Sequence, residues 1–264
     1  MIDLTGRSAL VSGGSRGVGA ATALLLARTG ADVAITFRSR SADAESVAEH
    51  IRALGRRAIV SMGEASDAAA ARETVAAVRD GFGKLDILVA NAGTWPATET
   101  PLREMTPARW RDTLTTNLDG VFILVRAALQ LMEAGAIVLV SSTAGQRGEA
   151  MHADYAAAKG ALISLTKSLA VECAPRITVN CVAPGWIDTE MASGALAGPA
   201  RERVARSIPL GRIASAEDVA GPIAFLCSPL ASGITGTTLY VDKGYHSMGM
   251  AVSMLGGNEN PSPS

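Results

Sequence analysis

The run Tyr155-Ala-Ala-Ala-Lys159 sets a phenol and an ammonium four residues apart. On a helix the two side chains share one face, a turn from each other. A free phenol titrates near ~10 and exchanges protons poorly at neutral pH. A fixed cation beside it favours the phenolate. The spacing therefore predicts a tyrosine whose pKa is drawn down towards the working range, able to trade a proton with a substrate oxygen. The same spacing also occurs on ordinary exposed helices, so the surroundings decide its meaning. Ser142, thirteen residues upstream, could hydrogen-bond the same oxygen. Ser141 is equally placed, and a strand-end turn is the plainer use of either.

Such groups need a scaffold, and the N-terminal segment indicates which. Ser8-Ala-Leu-Val-Ser12 is an apolar run suited to a buried strand, Gly13-Gly14-Ser15-Arg16-Gly17-Val18-Gly19 follows, and Ala20 to Arg28 is an Ala/Leu-rich helical stretch stopped by Gly30. Strand, glycine turn and helix together present backbone N–H groups and a helix N-terminus to a phosphate. Gly13 permits the tight turn, Gly17 a close approach to the ligand, and Gly19 close helix–strand packing. The spacing is G-x-x-x-G-x-G rather than G-x-G-x-x-G, and its place between strand and helix favours dinucleotide binding over a plain loop. A second strand, Asp32 to Phe37, leads into Arg38-Ser39-Arg40. NAD sites commonly carry an acid here for the ribose 2′-hydroxyl. Phe37 takes that place, and no acid lies between Val33 and Ala42. Arg38 and Arg40, with Arg16 from the turn, suit a 2′-phosphate, so NADP (as NADPH) is expected over NAD. Ordinary solvated loop charges are the alternative.

The rest of the chain alternates in the same way. Strands are expected near 8–12, 33–37, 57–62, 86–90, 137–141, 177–182 and 237–241. Helices are expected near 17–29, 41–54, 67–81, 107–133, 154–173, 189–206 and 216–227. Near-continuous apolar strands between amphipathic helices indicate an α/β fold: a doubly wound, seven-stranded parallel sheet of Rossmann type with helices on both faces. Residues 1–246 read as one domain and no internal repeat is visible. The Ala/Gly/Arg-rich stretch near 190–212 reads as a surface excursion. Residues 247–264 read as a C-terminal extension, disordered from Gly256, whose Met248, Met250, Met254 and Leu255 could pack on a neighbouring subunit or belong to a dangling tail.

Taken in order, Ser12-Gly13-x-x-x-Gly17-x-Gly19, Leu85-Asp86-Ile-Leu-Val-Ala90-Asn91-Ala92-Gly93, Asn117, Ser142, Tyr155-x-x-x-Lys159 and Pro184-Gly185-Trp-Ile187-x-Thr189 resemble the motifs of the short-chain dehydrogenase/reductase family, over residues 3 to about 246. The chain is similar in particular to its 3-oxoacyl-(acyl-carrier-protein) reductase and glucose-dehydrogenase-like members. The resemblance implies an NADPH-dependent oxidoreductase that reduces a ketone, a 3-oxoacyl thioester among the candidates, to a secondary alcohol. Tyr155 would be the general acid, Ser142 would hold the reacting oxygen, and Lys159 would lower the tyrosine pKa and hold the nicotinamide ribose. Asn117 would anchor a water that relays protons, or else serve as a capping residue. Gly13, Gly14, Ser15, Arg16, Gly17, Val18 and Gly19 would cradle the cofactor with Arg38, Ser39 and Arg40, and Glu64 and Ala65 would meet adenine. Asn91, Ala92, Gly93, Pro184, Gly185, Ile187 and Thr189 would line the nicotinamide half, although Thr189 could equally be the N-cap of the next helix. On the same resemblance, the stretch near 190–212 would form a mobile helical lid over the substrate. Departures are Ala90 for the first Asn of N-N-A-G, Glu64 for a shorter Asp, and Asp242-Lys243-Gly244 for Asp-Gly-Gly. The stretch 131–136 is short and lacks the basic residues that help dock an acidic carrier protein, although Arg176 remains. An acyl carrier protein is thus a possible partner, and a homotetramer built on the helices near 107–133 and 154–173 is expected. An NAD(P)-dependent alcohol or sugar dehydrogenase working oxidatively, and a non-catalytic nucleotide-binding protein, are the competing readings.

Composition agrees with a soluble enzyme. With 264 residues and 48% hydrophobic content the chain can fill a large α/β core. A formal net charge of −1 gives no basic field for nucleic acid. Three cysteines in apolar surroundings, Cys173, Cys181 and Cys227, are expected as buried free thiols in a reducing cytoplasm. No metal-ligand spacing appears, strand one begins too early for a signal peptide, and Val121 to Val140 carries Arg126 and Glu133, unlike a membrane span. Thr94, Trp95, Gln146, Arg147, Glu149, Met151, His152 and Trp186 are candidates for the substrate pocket, with His152 read as a surface histidine.

Overall fold

The computed structural model describes residues 1–64 and 66–248. Its strands are β1 (Ser8–Val11), β2 (Asp32–Phe37), β3 (Ala58–Met62), β4 (Ile87–Ala90), β5 (Gly135–Val140), β6 (Ile177–Pro184) and β7 (Thr238–Val241). Its helices are α1 (Gly17–Arg28), α2 (Ser41–Ala53), α3 (Ala68–Phe82), α4 (Pro107–Leu114), α5 (Gly120–Ala128), α6 (Thr143–Arg147), α7 (Ala153–Glu172), α8 (Pro199–Ser207) and α9 (Ala216–Leu226). The strands form one parallel sheet in the order β3-β2-β1-β4-β5-β6-β7. This is the expected doubly wound Rossmann-type fold.

The period of two along each strand builds a core on each face. Ala9 and Val11 of β1 join Val33 and Ile35 of β2 against Leu26, Ile51 and Ile223 of the helices on one side. Leu10 and Ala34 point the other way, into a core with Leu88, Val78, Leu124 and Leu162. Fully burying each Leu or Ile contributes on the order of 1.5–3 kcal/mol. The strand order reverses between β1 and β4, and there Ser12 and Asn91 tie the two strand ends together. Asn91 Nδ2 donates to the Ser12 carbonyl (2.9 Å), while the Ser12 hydroxyl oxygen accepts from the backbone N–H groups of Asn91 and Ala92 (3.0 Å each). Ligands of such sheets bind beyond the carboxyl ends of the strands at this reversal.

Three elements differ from expectation. The helix expected over 107–133 is broken: α4 passes through a widened, π-type turn at Thr115–Asp119 into α5, and the helix stops at Ala128. The helix expected over 189–206 is a single tight turn at Glu190–Ala192 followed by α8, because Gly198 takes a positive φ of 55° immediately before Pro199. The short α6, with Ser142 as its N-cap, lies between β5 and α7 where no helix was expected. Cys181 and Cys227 are buried, Cys173 is partly so, and all three are free thiols. Among the described residues no helix is long and apolar enough to cross a membrane, and no group of side chains is arranged to hold a metal ion. Met250, Met254, Leu255 and the rest of the extension from 249 onward lie outside the described residues.

Candidate active site

Helix α7 brings Tyr155 and Lys159 to the carboxyl edge of the sheet, both buried. Lys159 Nζ lies 5.7 Å from the Tyr155 ring centre and donates to the Val140 carbonyl at the end of β5 (2.9 Å). The two serines separate by role. Ser141 Oγ donates to the Lys159 backbone carbonyl (2.6 Å), which pins α7 to β5. The Ser142 hydroxyl accepts from the Ala144 N–H (3.2 Å) and hydrogen-bonds with the Tyr155 hydroxyl. Asn117, fully buried in the π-type turn, accepts from the Thr94 N–H (3.0 Å) and donates to the Thr113 carbonyl (3.0 Å). Gly93 packs into this corner so closely that a Cβ there would sit 2.7 Å from Asn117 Oδ1 and 3.3 Å from Lys159 Nζ. Next to Tyr155, the buried carboxylate of Asp154 accepts from Arg109 Nε (3.0 Å) and Thr113 Oγ1 (2.9 Å), fixing the start of α7 against α4.

The electrostatics reverse one expectation. The tyrosine pKa is not drawn down; burial pushes it up to about 12, against the Ser142 hydrogen bond and with the Glu149 carboxylate adding to the rise. Burial also pushes Lys159 down to about 8. Desolvation penalises the charged form of each group, and the ammonium is directed to the Val140 carbonyl rather than to the phenol oxygen. At neutral pH the corner therefore holds a neutral phenol, the form that donates a proton, and a lysine that keeps its charge with little margin.

A cavity of about 340 Å³ runs from this corner across the β1–β4 reversal to the end of β2. Gly13, Ser15, Arg16, Gly17, Val18 and Gly19 line it with Arg38, Ser39, Arg40 and Glu64, and so do Asn91, Ala92, Gly93, Pro184, Gly185, Ile187 and Thr189. Gly14 does not: it is buried against the side chain of Ile35, and its N–H donates to the Thr36 carbonyl (2.9 Å). Ala65 lies outside the described residues. A Cβ on Gly19 would lie 2.1 Å from the Gly13 carbonyl oxygen, so the turn folds back on the first turn of α1 as only glycine allows. Thr189 precedes the tight turn at 190–192, and its Cγ2 faces Gly17, 3.5 Å from where a Cβ would be. Trp186 and Asp188 are tied by backbone hydrogen bonds to Ala214 (3.1 and 2.8 Å), which fixes Ile187 between them at the cavity wall. The arginines at the far end face acids: Arg38 lies 3.7 Å from Glu64, and Arg16 and Arg40 both pair with Glu190.

This cradle fits a dinucleotide, and the chain's relatives agree. The family model described as enoyl-(acyl carrier protein) reductase matches residues 13–246. The 3-oxoacyl-[acyl-carrier-protein] reductase of Staphylococcus aureus is 40% identical over 244 residues, spanning 91% of this chain and 98% of the relative. The enzyme of that name from Escherichia coli is 39% identical, spanning 93% and 99%. A short-chain dehydrogenase from Burkholderia cenocepacia, solved in complex with NADP, superposes with a TM-score of 0.85 at 41% identity, covering 92% of this chain and 98% of that one. The chain belongs to the short-chain dehydrogenase/reductase family. It is an NAD(P)-dependent oxidoreductase.

In this family member the wall above Tyr155 is aromatic. The Trp95 ring meets Tyr155 edge-on (centroids 4.8 Å apart), faces Trp186 at 6.4 Å and stacks on His152 at 4.0 Å. His152 is therefore not the surface histidine expected; it is buried, with Nε2 3.0 Å from the Pro96 carbonyl. Its neighbours explain the difference, since the N-terminus of α7 tucks under the loop after β4 and carries the ring inward. Thr94, Arg147 and Glu149 also reach the cavity, and Arg147 bonds Glu149 (2.9 Å) while lying over the Tyr245 ring (4.5 Å). Gln146 and Met151 are exposed and do not line it. The residue that sequence reasoning missed is Glu190. No local motif marks it, because its partners lie 150 and more positions away in sequence.

Proposed function

We propose that the protein reduces a ketone to a secondary alcohol with NADPH, using Tyr155 as the general acid. The observation that carries this reading is the meeting, in one cavity, of a neutral buried phenol hydrogen-bonded to Ser142 with a glycine cradle that ends at three arginines. Bound NADPH would supply the hydride. Ser142 would hold the substrate oxygen and Tyr155 would give it a proton. Lys159 would stay charged near the nicotinamide ribose and offset the phenolate left behind. Arg16, Arg38 and Arg40 would receive the 2′-phosphate. The Burkholderia relative is described as holding NADP, which supports the same choice of cofactor. Named relatives that act on 3-oxoacyl carrier-protein thioesters support an acyl thioester as the substrate, with exposed Arg176 available to an acidic carrier. The Arg147–Glu149 pair at the mouth favours a polar ketone or sugar as the second reading, and a relative from Brucella melitensis is described as a glucose/ribitol dehydrogenase. A homotetramer packed through α5 and α7 is supported by apolar side chains on their outer faces, Phe122 (53% exposed) and Val171 (80% exposed).

The test is a panel of 3-oxoacyl thioesters, simple ketones and sugars, followed by absorbance of the reduced nicotinamide. Tyr155→Phe should abolish turnover on the best substrate while binding NADPH as the parent does. Unchanged turnover would remove Tyr155 as the acid.

A further inference from the structure

The most cationic spot in the cradle already faces an anion of the chain itself. Glu190 Oε2 lies 2.7 Å from Arg16 Nη1, and Glu190 Oε1 pairs with Arg40 Nη2. One carboxylate thus bridges two guanidiniums from different elements, the glycine turn and the end of β2. A phosphomonoester would be gripped in the same way. Arg40 also meets Asp43 (3.2 Å), and Arg38 stands 3.7 Å from Glu64. Three arginines therefore face three carboxylates, and the spot is locally neutral while Glu190 stays in place.

We propose that Glu190 is a latch on the lid segment that competes with the 2′-phosphate of the cofactor for Arg16 and Arg40, setting the affinity for NADP and coupling it to the position of residues 190–207. The proposal rests on the NADP reading above. When Glu190 leaves, the spot gains a net positive charge and two guanidinium forks, which suit a dianionic group with three acceptor oxygens. Glu190 is solvent-accessible, so the exchange needs no unfolding, and an exposed ion pair is weak enough to yield. The latch is joined to the lid. Glu190 opens the tight turn at 190–192, and Asp188, two residues earlier, pairs with Arg201 of α8. A cofactor without the 2′-phosphate has nothing to displace Glu190 and would bind with the latch closed. Arg16, then Arg40, hold the Glu190 carboxyl below its ordinary range, so it is ionised at neutral pH and the latch answers to phosphate rather than to protons.

The test uses 2′,5′-ADP and 5′-AMP as probes, titrated calorimetrically against the parent, Glu190→Gln, Glu190→Asp and Arg16→Ala. The latch requires Glu190→Gln to tighten 2′,5′-ADP by roughly threefold to tenfold and to leave 5′-AMP unchanged. Glu190→Asp, too short to bridge both arginines, should behave like Glu190→Gln. In the parent, 2′,5′-ADP but not 5′-AMP should speed tryptic cleavage at Arg201 and Arg203. If Glu190→Gln leaves 2′,5′-ADP binding unchanged or weaker while Arg16→Ala still weakens it, the latch is wrong and the NADP reading stands. If Glu190→Asp binds like the parent, simple repulsion replaces the latch. If 2′,5′-ADP binds the parent and Glu190→Gln no better than 5′-AMP, both the latch and the NADP reading fall.

Discussion

Replacing Lys159 by Met should change how stability depends on pH. Burial lowers the lysine pKa from 10.5 to about 8. Each pKa step corresponds to ~1.4 kcal/mol, so holding the ammonium in the fold costs on the order of 3 kcal/mol below pH 8, where folded and unfolded chains are both protonated. Between pH 8 and 10.5 the folded chain has given up that proton while the unfolded chain keeps it. The unfolded state then binds more protons, and stability rises with pH. The parent should therefore gain about 2–3 kcal/mol on Lys159→Met between pH 8 and 10. Tyr155, pushed up to about 12, does not enter this window. Losing the donor to the Val140 carbonyl adds only an offset that does not vary with pH. The assay is urea unfolding of both proteins from pH 7 to 10, at one protomer concentration and under reducing conditions. A parent-minus-variant curve that is flat across this range would show that the ammonium is not paying a desolvation cost, and would refute the assignment of a strained charge beside the phenol.

Gly19→Ala must move the Gly13 carbonyl out of a 2.1 Å collision, at a cost of roughly 1–3 kcal/mol, and NADPH affinity should fall at least tenfold; parent-like binding in calorimetry would contradict the tight cradle. Asp154→Ala leaves the Arg109 guanidinium without its buried partner and should lower stability by about 3–5 kcal/mol, read as the urea midpoint. Its carboxyl is held below the ordinary range despite burial, by Arg109 and then Thr113, so this contribution is full above the usual carboxylate pKa and lost as pH falls through the lowered one. Sedimentation should give a tetramer for the parent and smaller species for Phe122→Arg with Val171→Arg; a monomeric parent would remove the proposed packing of α5 and α7.

The fold was legible because its signals are local. Strand β1, the glycine turn and α1 are adjacent in sequence, and the alternation of apolar runs with amphipathic stretches requires both faces of the sheet to be covered. The pairing of Tyr155 with Lys159 was legible for the same reason, as a single helix turn fixes it. What stayed hidden depends on long-range placement. The direction of the tyrosine shift is set by how deeply the phenol is buried, against the Ser142 hydrogen bond and with the Glu149 carboxylate adding to the rise, and the Tyr–Lys spacing encodes none of these. His152 reads as a surface residue until the loop after β4 folds over it. Glu190 reads as one acid among twenty-five Asp and Glu, and only the meeting of the end of β2, the glycine turn and the tight turn at 190–192 around one point gives it two arginines. Proximity in sequence thus specified the Tyr155–Lys159 pair, while the tertiary fold set how deeply the two are buried and placed Glu190 against Arg16 and Arg40.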